Sequence, residues 1–581
     1  MNFTEEHLKP FGIIIRNNGS VDSVEQFTVE QINEWINKYK LVVFKGYKTL
    51  PKQDLALFAQ RLGKPLQWVF GAINDLKVKP QTENYIFTDH EVPLHWDGAF
   101  VGKIPYIILF QCITAPRPED MGGTTFSHTH KIVEDSTDEE LKEWNKISIN
   151  YTTKKIVHYG GKIKQKLTQK HEVEDLQVLR YAEPVDDLNP VSLEISGLEN
   201  KTPHDFIMQM RDKLYHPDYL YTHRWENGDI VLADNHTLIH GREAFKKPNE
   251  RYIQRINILH RPKGFSVKRF IENCLTIRRK EFFVAELPIF LIPLLTSIRS
   301  VNDFMEPTLY LGLLAIILLF NIGDMINCYA DYKLDSIYKS HLSNAVYELG
   351  KKNVKAQVIL SGIIAVLLTC YIAFATGTYY LILLTLAGIF IGLQYSIPPF
   401  KFKSQGILQL LCLWLIIFFG PMLYTAIITN GFPDYVSLSL FGFYGLHQMG
   451  IIMLNTAEDY TEDKASGLNT IIIRLGFHRS LNFAFRLVII SGLIIQLLAA
   501  YLLHLSQAAG YLYLFIGVFT FGWFVIVKEY KTIIDKINSQ NENDAIEEIK
   551  KNGMKVPRWL KMGAYSLLVV LIIHFIWNIS R

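Results

Sequence analysis

The sequence predicts two structural classes in one chain: an N-terminal α+β domain built as a double-stranded β-helix, or jelly roll, and a C-terminal all-α bundle of nine transmembrane helices. Three observations support this division. The chain has 581 residues, which exceeds one ordinary domain. Apolar runs long enough to cross a bilayer recur only from about residue 282 onward. Before that point, short runs of alternating apolar and polar residues indicate strands, and two packed sheets forming a distorted barrel fit this layout.

Short polar connections separate the nine apolar segments. The segments cover residues 282–299, 307–328, 355–376, 379–396, 407–428, 436–456, 481–503, 510–528 and 561–578. Lys and Arg concentrate in alternate connections, starting with the basic stretch RPKGFSVKRF before the first segment. Because basic residues favour the cytoplasmic side of short loops, these connections are predicted to be cytoplasmic.

The domain boundary is predicted where RPKGFSVKRFIENC interrupts both patterns. We therefore expect a soluble domain over 1–268 and a polytopic membrane domain over 269–581. The first residues, MNFTEEHLKPFGIII, lack a basic segment followed by an apolar one, so no signal peptide is expected. These features predict a multi-pass protein of the cell membrane with its N-terminal domain in the cytoplasm.

Composition excludes two classes of function. The formal net charge is only +4, so no nucleic-acid-binding surface is expected. The five cysteines have neither CxxC nor CxxxC spacing, which argues against a zinc site and a disulfide framework.

Two predicted spans end on the cytoplasmic side with the same pattern, one Asn and two Asp spaced four residues apart. The two trios are Asn327, Asp331 and Asp335, and Asn455, Asp459 and Asp463. Four-residue spacing places side chains along one face of a helix. Ionisable groups at membrane depth are costly unless they face a polar cavity or a partner, so two such trios on one side predict a shared site. An isolated Asp at a span end would more often be a solvated surface residue.

Paired carboxylates suit Mg²⁺, which commonly bridges one or two carboxylates to the phosphates of a substrate. A diphosphate is therefore the predicted ligand. Its remaining charge calls for cations, and the segment QYSIPPFKFK supplies Lys401 and Lys403, with Tyr395 as a candidate hydroxyl donor. An apolar bundle beneath this site would hold a lipid tail.

These motifs, in this order over about residues 275–580, resemble those of the UbiA-type intramembrane prenyltransferases. The resemblance implies that an isoprenoid diphosphate is ionised with Mg²⁺ and that its prenyl group passes to an acceptor, usually aromatic. It assigns Mg²⁺ and diphosphate binding to the two Asn/Asp trios, with catalytic roles for the four aspartates, and phosphate binding to Lys401 or Lys403.

A second set of candidate functional residues lies in the soluble half. His95 and Asp97 are two apart in VPLHWDGAF, so both would project from one face of an extended strand. His240 lies far along the chain in DNHTLIHGREAF. Two histidines and one carboxylate on one face of a metal are the ligands of non-haem Fe(II) oxygenases. Arg251 and Arg255 follow His240, and a guanidinium suits the distal carboxylate of 2-oxoglutarate.

Residues 80–260 are similar to the TauD/TfdA-like dioxygenases, which depend on Fe(II), 2-oxoglutarate and O₂. The resemblance implies that His95, Asp97 and His240 hold iron. It implies that Thr125 and Arg251 hold 2-oxoglutarate, with Arg255 near it or near the acid group of the substrate. The stretches LHWDGAF and APRPEDMGGTTFS look most like the branch that works beside isonitrile synthases, whose members oxidise an amino-acid-derived isocyano acid, commonly with loss of carbon dioxide.

Several other histidines lie near these motifs without an assigned role. They are His90, His128, His130 and His236. A histidine in such a place is more often a surface or core side chain than a ligand, and His236, four residues before His240, is the most deceptive of them.

Together the two halves predict a bifunctional enzyme that couples a cytoplasmic oxidation to a prenyl transfer in the membrane. Three alternatives stay open at this point. The membrane half could cyclise its isoprenoid, with the soluble half as a tailoring oxygenase. The chain could be a membrane transporter with a regulatory soluble domain, or the soluble half could be a non-catalytic module that binds the acceptor.

Overall fold

The structure is a computed structural model. It describes residues 3–19, 23–68, 71–78, 82, 84–156, 159–171, 174–186, 188–199, 201–246, 250–262, 264–465 and 467–580. The chain divides into two compact units. The first unit comprises Met1–Ser266 and Tyr332–Asn344, and the second comprises Val267–Asp331 and Ala345–Arg581. The segment Tyr332–Asn344 thus belongs to the first unit, although the sequence pattern assigned it to the membrane half.

The described strands all lie in the first unit. They are β1 (Phe3–His7), β2 (Ile13–Asn17), β3 (Leu41–Lys45), β4 (Asn74–Lys77), β5 (Val92–His95), β6 (Ile107–Thr114), β7 (Thr124–His128), β8 (Ser148–Ile156), β9 (Tyr159–Lys166), β10 (Thr168–Lys170), β11 (Gln177–Leu179), β12 (Ser192–Ser196), β13 (Leu220–His223), β14 (Ile230–Asp234), β15 (Leu238–Arg242) and β16 (Tyr252–Ile258).

The two main sheets differ in size. A seven-stranded sheet has the order β1-β2-β3-β14-β6-β16-β4, and a four-stranded sheet has the order β13-β7-β15-β5. The strands β12-β8-β9 form a third sheet, and β10-β11 form a two-stranded one. All pairings in the two main sheets are antiparallel except β2 with β3.

The centre of the seven-stranded sheet is buried on both faces, so its central strands are mostly apolar. Along β14, Ile230 and Leu232 point to one core cluster, whereas Val231 and Ala233 point to another. This alternation follows from the two-residue period of a strand. Helices cover the first face, and the four-stranded sheet packs on the second, where Phe110 of β6 meets Phe126 of β7 at 6.3 Å between ring centres.

The described helices of the first unit surround these sheets. They are α1 (Val29–Tyr39), α2 (Lys52–Leu62), α3 (Thr129–Glu134), α4 (Asp138–Trp144) and α5 (Pro203–Leu214), with α9 (Tyr332–Tyr338) and the first part of α10 (Ser340–Leu349). Helix α1 begins with a capping box in which Thr28 and Gln31 satisfy each other's backbone N–H groups. Its apolar face, with Ile32 and Ile36, packs against the seven-stranded sheet.

The second unit is helical. Its helices are α6 (Val267–Thr276), α7 (Phe283–Ser297), α8 (Pro307–Ala330), α11 (Lys351–Thr376), α12 (Tyr380–Ser396), α13 (Ile407–Leu413), α14 (Gly420–Asn430), α15 (Tyr435–Glu458), α16 (Tyr460–Ala465), α17 (Ile471–Leu475), α18 (Phe477–Leu505), α19 (Ile516–Asn538), α20 (Glu542–Asn552) and α21 (Val556–Ile579). The π-helical stretch Trp414–Phe419 joins α13 and α14 into one continuous rod.

Seven helices of the described chain are long and apolar enough to cross a membrane. They are Pro307–Ala330, Lys351–Thr376, Ile407–Asn430, Tyr435–Glu458, Phe477–Leu505, Gly510–Asn538 and Val556–Ile579. The other two predicted spans are also helices, but α7 has 15 residues and α12 has 17. At 1.5 Å per residue they extend about 22 and 26 Å, less than the roughly 30 Å hydrocarbon core. Nine full spans therefore stay a prediction.

Candidate iron site and candidate diphosphate site

The two histidines of the predicted iron site lie opposite each other on paired strands. His95 ends β5 and His240 lies on β15, and the two residues are partners in the antiparallel register. Candidate ligand atoms of His95, Asp97 and His240 all lie within 4.8 Å of one another. The structure therefore brings together the three side chains that the sequence pattern proposed, although His240 lies far along the chain from the other two.

The ring nitrogens of the two histidines have different surroundings, and a backbone hydrogen bond prepares His95 to act as a ligand. The Nδ1 of His95 lies 2.8 Å from the backbone carbonyl of Pro93, which places the proton on Nδ1 and leaves the Nε2 lone pair for a metal. In His240, the buried Nδ1 has no hydrogen-bond partner among the described residues. Two neutral imidazoles and one carboxylate are the donor set that Fe(II) takes in a facial arrangement, so these residues fit the metal.

The charges at this site also suit a metal. Burial lowers the pKa of His240 to about 3, and the nearby His95 acts in the same direction. Burial lowers the pKa of His95 as well. Burial alone would raise the pKa of Asp97, but the neighbouring Arg255 and the two histidines hold it below its ordinary value. At neutral pH the site therefore presents two uncharged imidazoles and an ionised carboxylate.

The predicted placement of His95 and Asp97 on one strand is wrong, because β5 ends at His95 and Asp97 lies in the following turn. Asn235 holds that turn instead. Its Oδ1 accepts from the Asp97 backbone N–H at 3.0 Å, and its Nδ2 donates to the Asp97 carbonyl at 3.0 Å. Sequence reasoning missed Asn235, although it stands five residues before His240.

The predicted 2-oxoglutarate residues come from the two main sheets. Arg251, immediately before β16, is buried and donates from Nη2 to the Thr124 hydroxyl at 3.2 Å. Trp225 donates to the same hydroxyl at 3.0 Å. Thr124, a residue missed by sequence reasoning, thus contacts Arg251. The predicted Thr125 lines a cavity of about 350 Å³ with Arg242.

Positive charge is concentrated around Arg251. Burial lowers the pKa of Arg251 to about 9, and the neighbouring Arg242 guanidinium acts in the same direction. Arg251 is still protonated at neutral pH. Two buried guanidinium groups in this region suit a dicarboxylate, because a charged group out of water gains most from an opposite charge.

Arg255 has a different position from Arg251. It lies on β16, and its Nη1 is 3.0 Å from the Asp97 Oδ2. Arg255 therefore belongs beside the metal ligands, where it can pair with Asp97 or with the acid group of a bound molecule.

In a second group of potential metal ligands, the candidate ligand atoms already form hydrogen bonds with protein groups. The carboxylates of Glu174 and Asp234 lie with His171 within ligand distance of one another. However, the His171 Nδ1 accepts from the Glu174 backbone N–H, and its Nε2 lies 3.3 Å from Asp234. Lys40 donates to both oxygens of Glu174 at 2.6 and 2.7 Å. These atoms are already engaged, which favours a structural role.

The two acidic trios of the second half of the chain follow helices that end in the same way. Helix α8 ends at Ala330 with Asp331 as its C-cap, and α15 ends at Glu458 with Asp459 as its C-cap. The two caps have nearly equal dihedral angles, φ −89° and ψ 6° for Asp331, and φ −86° and ψ 8° for Asp459. After each of these aspartates the chain enters a new short helix.

The expectation that each trio lies along one continuous helical face is therefore wrong. Asp335 lies on α9 and Asp463 on α16, beyond the break at the middle aspartate. The C-terminal end of a helix carries partial negative charge, so an aspartate there is unfavourable without a cation. A cation near each cap would therefore be favourable.

Asp331 already has one cationic partner. Lys403 is buried and donates to the Asp331 Oδ2 at 2.6 Å. Asn327, one turn earlier on α8, donates to Asp331 at 3.1 Å and to the Ser396 hydroxyl at 3.2 Å. Between the two predicted lysines, Lys403 is thus the one that contacts the acidic trio, and Lys401 lies two residues away.

The connection that carries Lys403 also contacts the chain that follows the second trio. The Gly406 N–H donates to the Asn469 carbonyl at 3.0 Å, and the Ile471 N–H donates to the Gln409 side chain at 2.9 Å. One connection therefore touches the end of α8 and the segment beyond α16.

Tyr395, the predicted hydroxyl donor, precedes Ser396, the last residue of α12, whose hydroxyl accepts from Asn327 of the first trio at 3.2 Å. Asn455 is exposed at the end of α15, unlike its counterpart Asn327. The first-trio residue Asp335 is grouped with the first unit, apart from the others.

Comparison with known proteins matches each half to a family. Residues 5–257 match the taurine catabolism dioxygenase TauD, TfdA family, and residues 287–538 match the UbiA prenyltransferase family. The first half is 36% identical over 261 residues to a 3-((Z)-2-isocyanoethenyl)-1H-indole synthase of Fischerella ambigua, covering 44% of this chain and 96% of that protein.

Two further relatives have related descriptions. A tyrosine isonitrile desaturase of Pseudomonas aeruginosa is 29% identical, covering 43% of this chain and 88% of that protein. A solved structure of PvcB, an Fe, alpha-ketoglutarate dependent oxygenase from an isonitrile synthetic pathway, has 26% identity, covers 44% of this chain and 94% of that chain, and gives a TM-score of 0.39.

The fold and the His-Asp-His cluster define the first unit as an iron- and 2-oxoglutarate-type dioxygenase, fused to a membrane-embedded helical bundle. The chain belongs to the TauD/TfdA dioxygenase family over its first half and to the UbiA prenyltransferase family over its second half. It is therefore an enzyme fusion, and its apolar helices make it a multi-pass membrane protein.

Proposed function

We propose that the first unit oxidises an amino-acid-derived isocyano acid with 2-oxoglutarate and O₂, and that the second unit transfers a prenyl group from an isoprenoid diphosphate to an aromatic acceptor. The single observation that carries the first part is the cluster of His95, Asp97 and His240 in a unit whose relatives act on isonitriles. The ion pair of Asp331 with Lys403 at a helix end supports the second.

In the oxidation, His95, Asp97 and His240 would hold Fe(II), which supplies the oxidising chemistry when bound. Arg251 and the neighbouring threonines would hold the distal carboxylate of 2-oxoglutarate. Loss of two hydrogens and carbon dioxide from the acid gives a vinyl isonitrile. The balance is one O₂ and one 2-oxoglutarate consumed, with succinate, a second carbon dioxide and water formed.

The side chains next to His95 support an aromatic substrate. A cavity of about 40 Å³ beside His95 is lined in part by Tyr85, Trp96, Phe100 and Tyr151. Aromatic rings prefer edge-to-face or offset contacts with other rings, so this wall would contact a side chain derived from tryptophan or tyrosine. The cavity as it stands is smaller than such a ring, so binding would require the wall to open. Arg255 would pair with the acid group of the substrate.

In the prenyl transfer, the aspartates of both trios would bind Mg²⁺ and diphosphate, with Lys401 and Lys403 on the phosphates. The allylic carbon–oxygen bond breaks and diphosphate leaves with its electron pair. The acceptor ring then forms a carbon–carbon bond to the prenyl cation and loses a proton. We assign the N-terminal unit to the cytoplasm, where its product can reach the basic side of the membrane.

One experiment tests both steps. The full chain in detergent is supplied with Fe(II), 2-oxoglutarate, Mg²⁺, geranyl diphosphate and the isocyano acid derived from tryptophan or tyrosine. We expect succinate and diphosphate, and a prenylated product by mass spectrometry. Absence of succinate with every candidate acid would disprove the first step. Diphosphate release that persists after Asp331→Ala and Asp459→Ala would disprove the second.

A further inference from the structure

Helix α6, the first helix of the second unit, turns an apolar face outward. Val267, Ile271 and Leu275 recur every four residues and are 65%, 51% and 44% exposed. Residues four apart lie along one face of a helix, and the exposed Phe270 lies beside them. A surface helix in water presents its polar residues outward instead. The outward face of α6 therefore calls for an apolar partner.

The opposite, polar face of α6 is bound to the second unit itself. The Arg269 Nε lies 3.0 Å from the Glu348 Oε2, and the Asn273 Nδ2 donates to the same oxygen at 2.7 Å. Arg269 and Asn273 are one helical turn apart, on the side opposite Val267 and Ile271. The helix is thus held with its polar side inward and its apolar side outward, the reverse of a helix that packs on a water-soluble core.

The end of α6 is fixed near the ends of two membrane-spanning helices. The Cys328 Sγ, near the end of α8, donates to the Ile277 carbonyl at 3.8 Å. The Arg278 Nη1 donates to Gln357, near the start of α11, at 2.8 Å. Helices α8 and α11 have 24 and 26 residues. At 1.5 Å per residue they extend about 36 and 39 Å, so their ends reach beyond the roughly 30 Å hydrocarbon core into the headgroup region.

The exposed apolar surface continues from α6 toward the membrane-embedded bundle. Phe282, Phe283 and Val284, at the junction with α7, are exposed. Lys268, at the edge of the apolar face of α6, is exposed as well. A lysine in this position can lay its apolar stem on the membrane and keep its ammonium group among the headgroups. An apolar face with a basic residue at its edge is typical of helices that lie in the plane of a membrane surface.

We propose that α6 is an interfacial helix, and that the partner of its apolar face is lipid of the leaflet where α8 ends and α11 begins. Val267, Ile271 and Leu275 then reach the boundary between headgroups and acyl chains, to a depth of about 5–10 Å. Because α6 begins directly after Ser266, the membrane contact starts where the connection from the first unit ends. This contact is separate from both proposed activities.

Photocrosslinking in the full chain tests this contact. A photoreactive benzoyl-phenylalanine is placed at Ile271, the chain is reconstituted into nanodiscs of phosphatidylcholine and phosphatidylglycerol, and mass spectrometry identifies the crosslinked partner. We expect adducts with lipid acyl chains. The matched control carries the same amino acid at Glu272, which is also exposed but is turned about 100° away from Ile271 around the helix. In this control we expect the acyl-chain adducts to be lost.

Leu275 is a second position for the same probe, in case the chain altered at Ile271 does not fold. Size-exclusion chromatography and succinate formation show which altered chains are folded. Adducts with residues 1–266 would overturn the proposal, because the apolar face would then be covered by the first unit. Equal lipid adducts at Ile271 and Glu272 would also overturn it, since α6 would then have no fixed orientation toward lipid. Absence of lipid adducts at both Ile271 and Leu275 in folded protein would show that the face lies in water, which is a third way for the proposal to fail.

Discussion

His95 and His240 are cross-strand partners whose ring centres lie 4.5 Å apart. Side chains of directly opposed residues in an antiparallel pair lie on the same face of the sheet. Strand pairing therefore sets the separation of the two proposed ligands before any metal binds. A site built on a rigid ladder in this way requires little rearrangement when iron enters.

The first prediction concerns the third ligand. Asp97→Ala should remove iron binding and lower succinate formation more than about 100-fold, because loss of even an outer partner of a metal ligand commonly costs 10- to 100-fold. Iron content by mass spectrometry and succinate by chromatography measure the two effects. His90→Ala is the control, since that exposed histidine lies near the motif outside the ligand cluster. Retained iron in Asp97→Ala would contradict the assignment.

The second prediction concerns 2-oxoglutarate. Arg251→Lys should raise its KM about 10- to 150-fold, because a charged hydrogen-bonding group contributes about 1.5–3 kcal/mol and lysine cannot reproduce the two-pronged grip of a guanidinium. Iron content should be unchanged, which separates this effect from that of Asp97→Ala. Steady-state succinate formation against 2-oxoglutarate concentration gives the KM. A wild-type KM for 2-oxoglutarate in Arg251→Lys would show that another residue binds its distal carboxylate.

The third prediction concerns acid stability. Burial lowers the pKa of His236 to about 3 and that of His128 to about 4, from the ordinary value of 6.5. Below pH 6.5 the unfolded chain binds protons that the folded chain does not, so stability falls as pH falls. Each group should cost about 1 kcal/mol between pH 6.5 and 5.5. Tryptophan fluorescence during urea unfolding measures this loss.

His128→Gln provides the comparison for this pH effect. Removing one of the two histidines should reduce the loss of stability between pH 6.5 and 5.5 by about 1 kcal/mol. The exposed His90→Gln should leave the loss unchanged. The same pH dependence of the unfolding free energy in the wild type and both variants would show that His128 does not contribute to acid unfolding.

The fourth prediction distinguishes the two lysines of the connection after α12. Lys403 contacts Asp331, so Lys403→Ala should raise the KM for the diphosphate more than Lys401→Ala does. We expect about a tenfold difference, in line with one charge-assisted hydrogen bond. Phosphate-release assays with Mg²⁺ held constant measure both variants. Equal effects would mean that the pairing with Asp331 is unimportant for binding.

The sequence predicted which residues of the iron site meet in the fold better than it predicted local geometry. His95, Asp97 and His240 are recognisable as a ligand set by residue type at any distance along the chain, and the structure brings them together. The four-residue spacing of Asn327, Asp331 and Asp335 suggested one helical face, but the helix ends at Asp331. Periodicity cannot show such a break, because the residues on either side still favour a helix.

Residues that act by holding another site residue in place were not predictable from sequence. Thr124 and Asn235 have no chemistry of their own that marks them as site residues. Their roles depend on strand pairings and turns that bring distant segments together. The same reason hides the packing of Tyr332–Asn344 in the first unit, since no local pattern indicates that Gln60 will accept from the Tyr332 hydroxyl at 3.0 Å.

The last prediction follows from the position of Asn235. Its side chain accepts from and donates to the backbone of Asp97, so it holds the turn that aims this carboxylate at the two histidines. Asn235→Ala should therefore weaken iron binding about 10- to 100-fold, as expected for an outer partner of a metal ligand. Excess Fe(II) should restore succinate formation in this variant, whereas it should not in Asp97→Ala. Iron titrations monitored by succinate formation compare the two. Failure of excess iron to rescue Asn235→Ala would show that the turn serves the fold as a whole and not the metal site.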